Sequence, residues 1–95
     1  MAKIRNMRGT SNLGCSCGTW IDHYHNHSAT KATGCSVAGC DGPAALGAHV
    51  YYADGIDPSQ YIVPMCHQCN SSDDDMPLRP DVTPAPVRST LTGCA

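Results

Sequence analysis

Two short-spaced cysteine pairs set the strongest constraint on how this chain can fold: Cys35-x4-Cys40 and Cys66-x2-Cys69, with 25 residues between them. A knuckle of this kind brings two thiolates to one side of a tight turn. Two such knuckles facing each other supply the four sulfurs that a tetrahedral structural Zn²⁺ requires. The segment between the pairs must then bring them together. It reads as a hairpin: Leu46–Tyr52 carries a strand pattern, Asp54-Gly55-Ile56-Asp57-Pro58 turns, and Tyr61-Ile62-Val63 is a second, β-branched strand.

The rest of the composition explains why such a staple is needed. Leu, Ile and Val total 13 of 95 residues and Phe is absent, so one Trp and four Tyr must fill much of the core. Small domains with so little apolar volume are commonly held by a metal or by disulfides. An odd cysteine count of seven, behind an N-terminus (Met1-Ala2-Lys3-Ile4-Arg5-Asn6-Met7-Arg8) with no apolar core, favours metal ligation in a reducing, cytoplasmic compartment over a disulfide framework. No apolar run approaches the roughly 18 residues of a membrane helix. Six Lys and Arg against eight Asp give a formal charge of −2, which argues against a basic nucleic-acid clamp and a polybasic membrane anchor.

Along the chain, residues 1–14 are polar and glycine-containing and read as a flexible arm. Residues 15–76 read as the zinc-binding domain, and the proline-rich 77–95 as a tail with one short edge strand near Val87 folded back on it. Thr19 is placed to cap a helix through Trp20–His27, with Asp22 as the acid of a capping box. Trp20, Tyr24 and His27 fall on one face of that helix, an aromatic stripe expected to bury Trp20 against the zinc hairpin. A further short helix begins at Cys66-His67-Gln68-Cys69.

The order of a Cys pair, Gly47-Ala48-His49-Val50 on a strand, a loop, a second strand and Cys66-His67-Gln68-Cys69-Asn70 resembles the zinc-stapled treble-clef domain of the HNH endonuclease type. The resemblance covers the 36 residues from Cys35 to Asn70. It implies a small α+β treble-clef fold with a β-hairpin and short helices. It also implies His49 as the general base that activates water, and Asn70 as the residue near a second, catalytic divalent ion. The chain departs from the family elsewhere. Tyr61 stands where the middle Asn is common, Ala48 where an acidic residue often precedes the His, and Ser71-Ser72-Asp73-Asp74-Asp75 where a basic residue usually follows the second knuckle. Three carboxylates there repel phosphate. A wider likeness, carried by Cys17-Gly18-Thr19-Trp20, Ala48-His49-Val50, Tyr61-Ile62-Val63-Pro64 and Thr92-Gly93-Cys94, is to an uncharacterised group of small bacterial and phage-type proteins.

Two function classes follow. The first is a zinc-binding HNH-like module without nuclease activity, structural or serving a protein or nucleic-acid partner, with weak DNA binding at most. The alternative is a metal-dependent nuclease using His49. A candidate second metal site combines Cys15, Cys17, His23, His27 and Cys94, since His23 and His27 stand at i, i+4 on the expected helix. For each of these groups there is a bland counterpart: a strand histidine bonded to backbone, an asparagine capping a helix, and solvated histidines on a helix surface.

Overall fold

A computed structural model describes residues 2–7, 19–28, 33–54 and 59–87. Its centre is an antiparallel five-stranded sheet in the order β4-β1-β2-β3-β5. The elements are β1 (Lys3–Asn6), α1 (Trp20–His27), β2 (Leu46–Tyr52), β3 (Tyr61–Met65), α2 (His67–Asn70), β4 (Met76–Pro77) and β5 (Ala85–Pro86).

The hairpin anticipated from the apolar pattern is the middle of this sheet: β2 and β3 pair with Ala48 opposite Val63, His49 opposite Ile62 and Val50 opposite Tyr61. Residues 3–6, expected to belong to a flexible arm, instead form a strand on the other side of β2, with Ile4 opposite Tyr52 and Asn6 opposite Val50. The physical reason lies in the alternation of Lys3-Ile4-Arg5-Asn6, which buries Ile4 and Asn6 and exposes Lys3 and Arg5. One buried apolar residue in four is too little for composition alone to reveal a strand. The proline-rich segment returns to the sheet at both edges. Met76–Pro77 pairs with β1 and Ala85–Pro86 with β3, and proline is tolerated there because an edge strand needs only some of its donors.

Because side chains alternate across a strand, the sheet has two differently built faces. One carries Ile4, Ala48, Val50, Val63 and Met65, which pack with Cys35, Val37, Cys66, Met76 and Leu78. The other carries His49 and Ile62, covered by Tyr24 of α1 together with Ala85 and Val87, with Trp20 at the margin. The capping box at the start of α1 is present: the Thr19 hydroxyl accepts from the Asp22 amide at 3.2 Å, and Asp22 accepts from the Thr19 amide at 3.4 Å. The helix start sits directly on β2. A Cβ added to Gly47 would lie 2.4 Å from the Trp20 carbonyl carbon, so glycine is what allows the two backbones to approach.

Trp20 is therefore packed on the hairpin, but on the face away from the cysteine knuckles, and it is half-buried rather than enclosed. Of the helix histidines, His23 is fully buried beside Tyr24, whereas His25 is exposed. The side chain of His27 lies outside the described residues. Among the described residues no helix is long and apolar enough to cross a membrane.

Candidate metal centre

The first knuckle is anchored by its backbone. The Cys35 amide donates to Gly42 O at 3.0 Å, closing the loop on itself, and Cys40 N donates to Val37 O at 3.1 Å. Ser36 N donates to Pro64 O at 2.9 Å, which ties the loop to the end of β3, just before the second knuckle. An isolated bridge between Val37 and Leu78 adds the segment after β4 to the same frame.

The second knuckle grows out of β3. Cys66 is the N-cap of α2, and its sulfur accepts from Cys69 N at 3.4 Å, in the manner of a capping hydroxyl. Asn6 secures the far end of this turn: its Nδ2 donates to Cys69 O and to Ser72 O, each at 2.9 Å. A residue of the presumed arm thus holds the loop that carries two of the sulfurs.

Cys35, Cys40, Cys66 and Cys69 bring four Sγ atoms within 4.8 Å of one another. All four are free of disulfide bonds. The distances from Cys40 Sγ to Cys66 Sγ and to Cys69 Sγ are 3.8 and 3.7 Å. A tetrahedron built on Zn–S bonds of about 2.3 Å has edges of about 3.8 Å, and a disulfide would require about 2.05 Å. The tetrad thus has the dimensions of a metal cage. Its wall is equally tight: a Cβ on Gly42 would meet Cys66 Cβ at 2.9 Å and Cys66 Sγ at 3.2 Å. The four-cysteine group expected from the spacing is assembled here, and it can hold a metal ion such as zinc.

The electrostatics of the tetrad fit that chemistry. The Cys69 amide directed at its sulfur, followed by the neighbouring thiols, brings Cys66 down to about 7 against the opposing effect of burial. Burial pushes the Cys35 thiol up, and burial together with the adjacent sulfurs drives Cys69 up further still. The site stabilises one thiolate by itself, and a divalent cation is the natural means of stabilising the others.

Arg79 supports the first knuckle from outside, a role that nothing in the sequence announced. Its Nε donates to Cys35 O at 2.9 Å and its Nη2 to Cys40 O at 2.7 Å, a fork across the two ligand residues. These are charge-assisted bonds to the carbonyls that set the pitch of the loop. We expect Arg79→Ala to weaken zinc affinity about 10-fold or more, the size of effect typical for groups that orient ligands. Competition with a chromophoric chelator measures this, and an unchanged affinity would show that the fork does not position the cysteines.

The remaining anticipated residues are distributed differently. His49 lies on the α1 face of the sheet, 6% exposed, with its ring 4.4 Å from that of Trp20. Asn70 ends α2, on the side where Asn6 and Ile4 point, and its amide donates to Cys66 O at 3.0 Å. The sheet thus separates His49 from Asn70, and the structure does not bring them to one site. Cys15, Cys17 and Cys94 lie outside the described residues. Asn6 could have been found from its place after the buried Ile4; Gly42 and Arg79 left no readable signal.

In comparison with known proteins, no family model, curated protein or solved structure matches this chain. What the fold and site define is a small α+β domain with a four-cysteine group able to bind a metal.

Proposed function

We propose that this chain is a zinc-stapled module of the treble-clef, HNH-like type that has no nuclease activity and acts as a structural or partner-binding unit. The observation that carries the reading is the convergence of two cysteine knuckles, flanking a β-hairpin, with all four sulfurs within 4.8 Å. Closed four-cysteine sites are structural, because they leave no open position for substrate or water.

Three observations support the absence of cleavage chemistry. A general base must come within hydrogen-bond reach of the water it activates, and His49 is buried under Trp20. The residue that would stand near a catalytic ion, Asn70, is on the other side of the sheet. The described surface also offers little to phosphate: Arg5 is paired with Asp75 at 2.6 Å and Arg79 is turned to backbone carbonyls, which leaves Lys3. Asp73, Asp74 and Asp75 are all exposed beside the second knuckle. Any DNA binding should therefore be weak and lost by physiological salt, and a protein surface fits better as partner.

The test is incubation of purified protein with plasmid and with single-stranded DNA in the presence of Mg²⁺, Mn²⁺ or Ni²⁺. The expected result is no cleavage. Metal-dependent nicking that disappears in His49→Ala while the fold persists by NMR would overturn this reading in favour of the nuclease, whereas a trace contaminating nuclease would be indifferent to the substitution.

A further inference from the structure

We propose that Cys40 and Cys69 are the oxidation-sensitive pair of the four-cysteine group, and that a peroxide links them in a disulfide and sets the metal ion free. This rests on the zinc reading of the group given above. The four cysteines do not share one environment. Cys35 is fully buried and Cys66 is 6% exposed, whereas Cys40 and Cys69 are only half-buried. Burial thus divides the tetrad into an inner pair and an outer pair, and each pair takes one member from each knuckle.

An open surface cavity of about 240 Å³ reaches Cys40. Its lining is polar, with Asp41 and Asp81 exposed to solvent and Arg79 turned to the carbonyls of the knuckle. A space of this size and character admits a small uncharged oxidant such as hydrogen peroxide. Cysteines that respond to oxidants are solvent-accessible and stand beside a second thiol that resolves the first product. Cys69 is that second thiol. Its Sγ lies 3.7 Å from Cys40 Sγ, slightly closer than Cys66 Sγ at 3.8 Å, and it is the more exposed of the two. Closing 3.7 Å to the disulfide length of about 2.05 Å asks for an approach of about 1.7 Å, shared between two side chains.

The thiolate of Cys40 attacks one peroxide oxygen and breaks the O–O bond, which gives a sulfenic acid on Cys40 and a hydroxide ion. The thiolate of Cys69 then attacks the Cys40 sulfur and expels a second hydroxide as the S–S bond forms. Two protons from solvent turn both hydroxides into water. Each sulfur has lost one electron and the peroxide has gained two. Cys35 and Cys66 alone then remain as thiolates, half of a tetrahedral set, so the ion leaves. The two knuckles exchange a shared ion for a covalent link.

The test uses the full chain, purified under reducing conditions with its zinc counted by elemental analysis. The reductant is removed and one equivalent of hydrogen peroxide is added. A chromophoric zinc chelator follows release against an untreated sample, and the products are trapped in acid, alkylated and mapped by peptide mass spectrometry. The expected result is one zinc ion lost for each disulfide formed, with Cys40 and Cys69 in the linked peptides and Cys35 and Cys66 alkylated. Zinc retained through the treatment would overturn the proposal. So would release with the disulfide elsewhere, as Cys66–Cys69, Cys35–Cys40 or a bond to Cys15, Cys17 or Cys94. A chain that carries no zinc before the oxidant is added would refute the zinc reading itself, and this proposal with it.

Discussion

Removing the metal ion proposed for the four-cysteine group should unfold this protein. A competing chelator at neutral pH is expected to collapse the dispersion of the amide NMR spectrum, and re-addition of Zn²⁺ should restore it. Structural zinc in small modules contributes on the order of 10 kcal/mol of apparent binding free energy, which is comparable to the whole stability of a domain this size. The cage is not peripheral to the core. Cys35 and Cys66 belong to the same buried cluster as Ile4, Val50, Val63 and Met65. Without the ion, four sulfurs within 4.8 Å must share that space with no cation to offset their charge, and the two knuckles lose the bond that joins them. Cys66→Ser should mimic the chelator while touching only this site, because it removes a ligand and weakens the cap of α2 in one change. A dispersed spectrum from protein proved metal-free by elemental analysis would refute the claim that zinc holds the fold.

The parts of this architecture that the sequence exposes are those governed by local rules. Knuckle spacing is local, and so is the capping box of Thr19 and Asp22, which needs only a three-residue separation. The hairpin follows from β-branched residues between turn signals. What stays hidden depends on contacts between distant segments. β1 exists because β2 offers it a partner some 45 residues later in the chain, and the lone alternation of Ile4 and Asn6 carries too little signal. The placing of His49 and Asn70 on opposite faces follows from register: His49 is odd-numbered on a strand whose even members, Ala48 and Val50, face the cysteines. Arg79 is silent for a related reason, since its partners are backbone carbonyls 44 and 39 residues away, and carbonyls have no sequence. Cysteine spacing can be read along the chain, whereas the face that each side chain takes depends on the register of the sheet.

The second large effect is expected at Trp20. Its ring stands edge-on to His49 and His23, and its backbone lies against Gly47. Together with Tyr24, Ile62, Ala85 and Val87 it forms the cluster on the α1 face of the sheet. Truncating a core aromatic to alanine typically costs 3–5 kcal/mol. Trp20 is half-buried, so the lower end applies, about 3 kcal/mol. That loss does not stop at area removed from water. Alanine would uncover two imidazoles that are now shielded, and with them the packing that holds α1 on β2. For a domain at the low end of ordinary stability, about 5 kcal/mol, the change leaves about 2 kcal/mol, so the denaturation midpoint falls steeply and about a few per cent of molecules are unfolded in water. Chemical denaturation followed by far-ultraviolet circular dichroism provides the measurement, with Trp20→Phe as the control that retains an aromatic ring and should recover much of the loss. If Trp20→Ala unfolded at the same denaturant midpoint as wild type, the α1 face would contribute little, and the cysteine-bearing face would be holding the sheet alone.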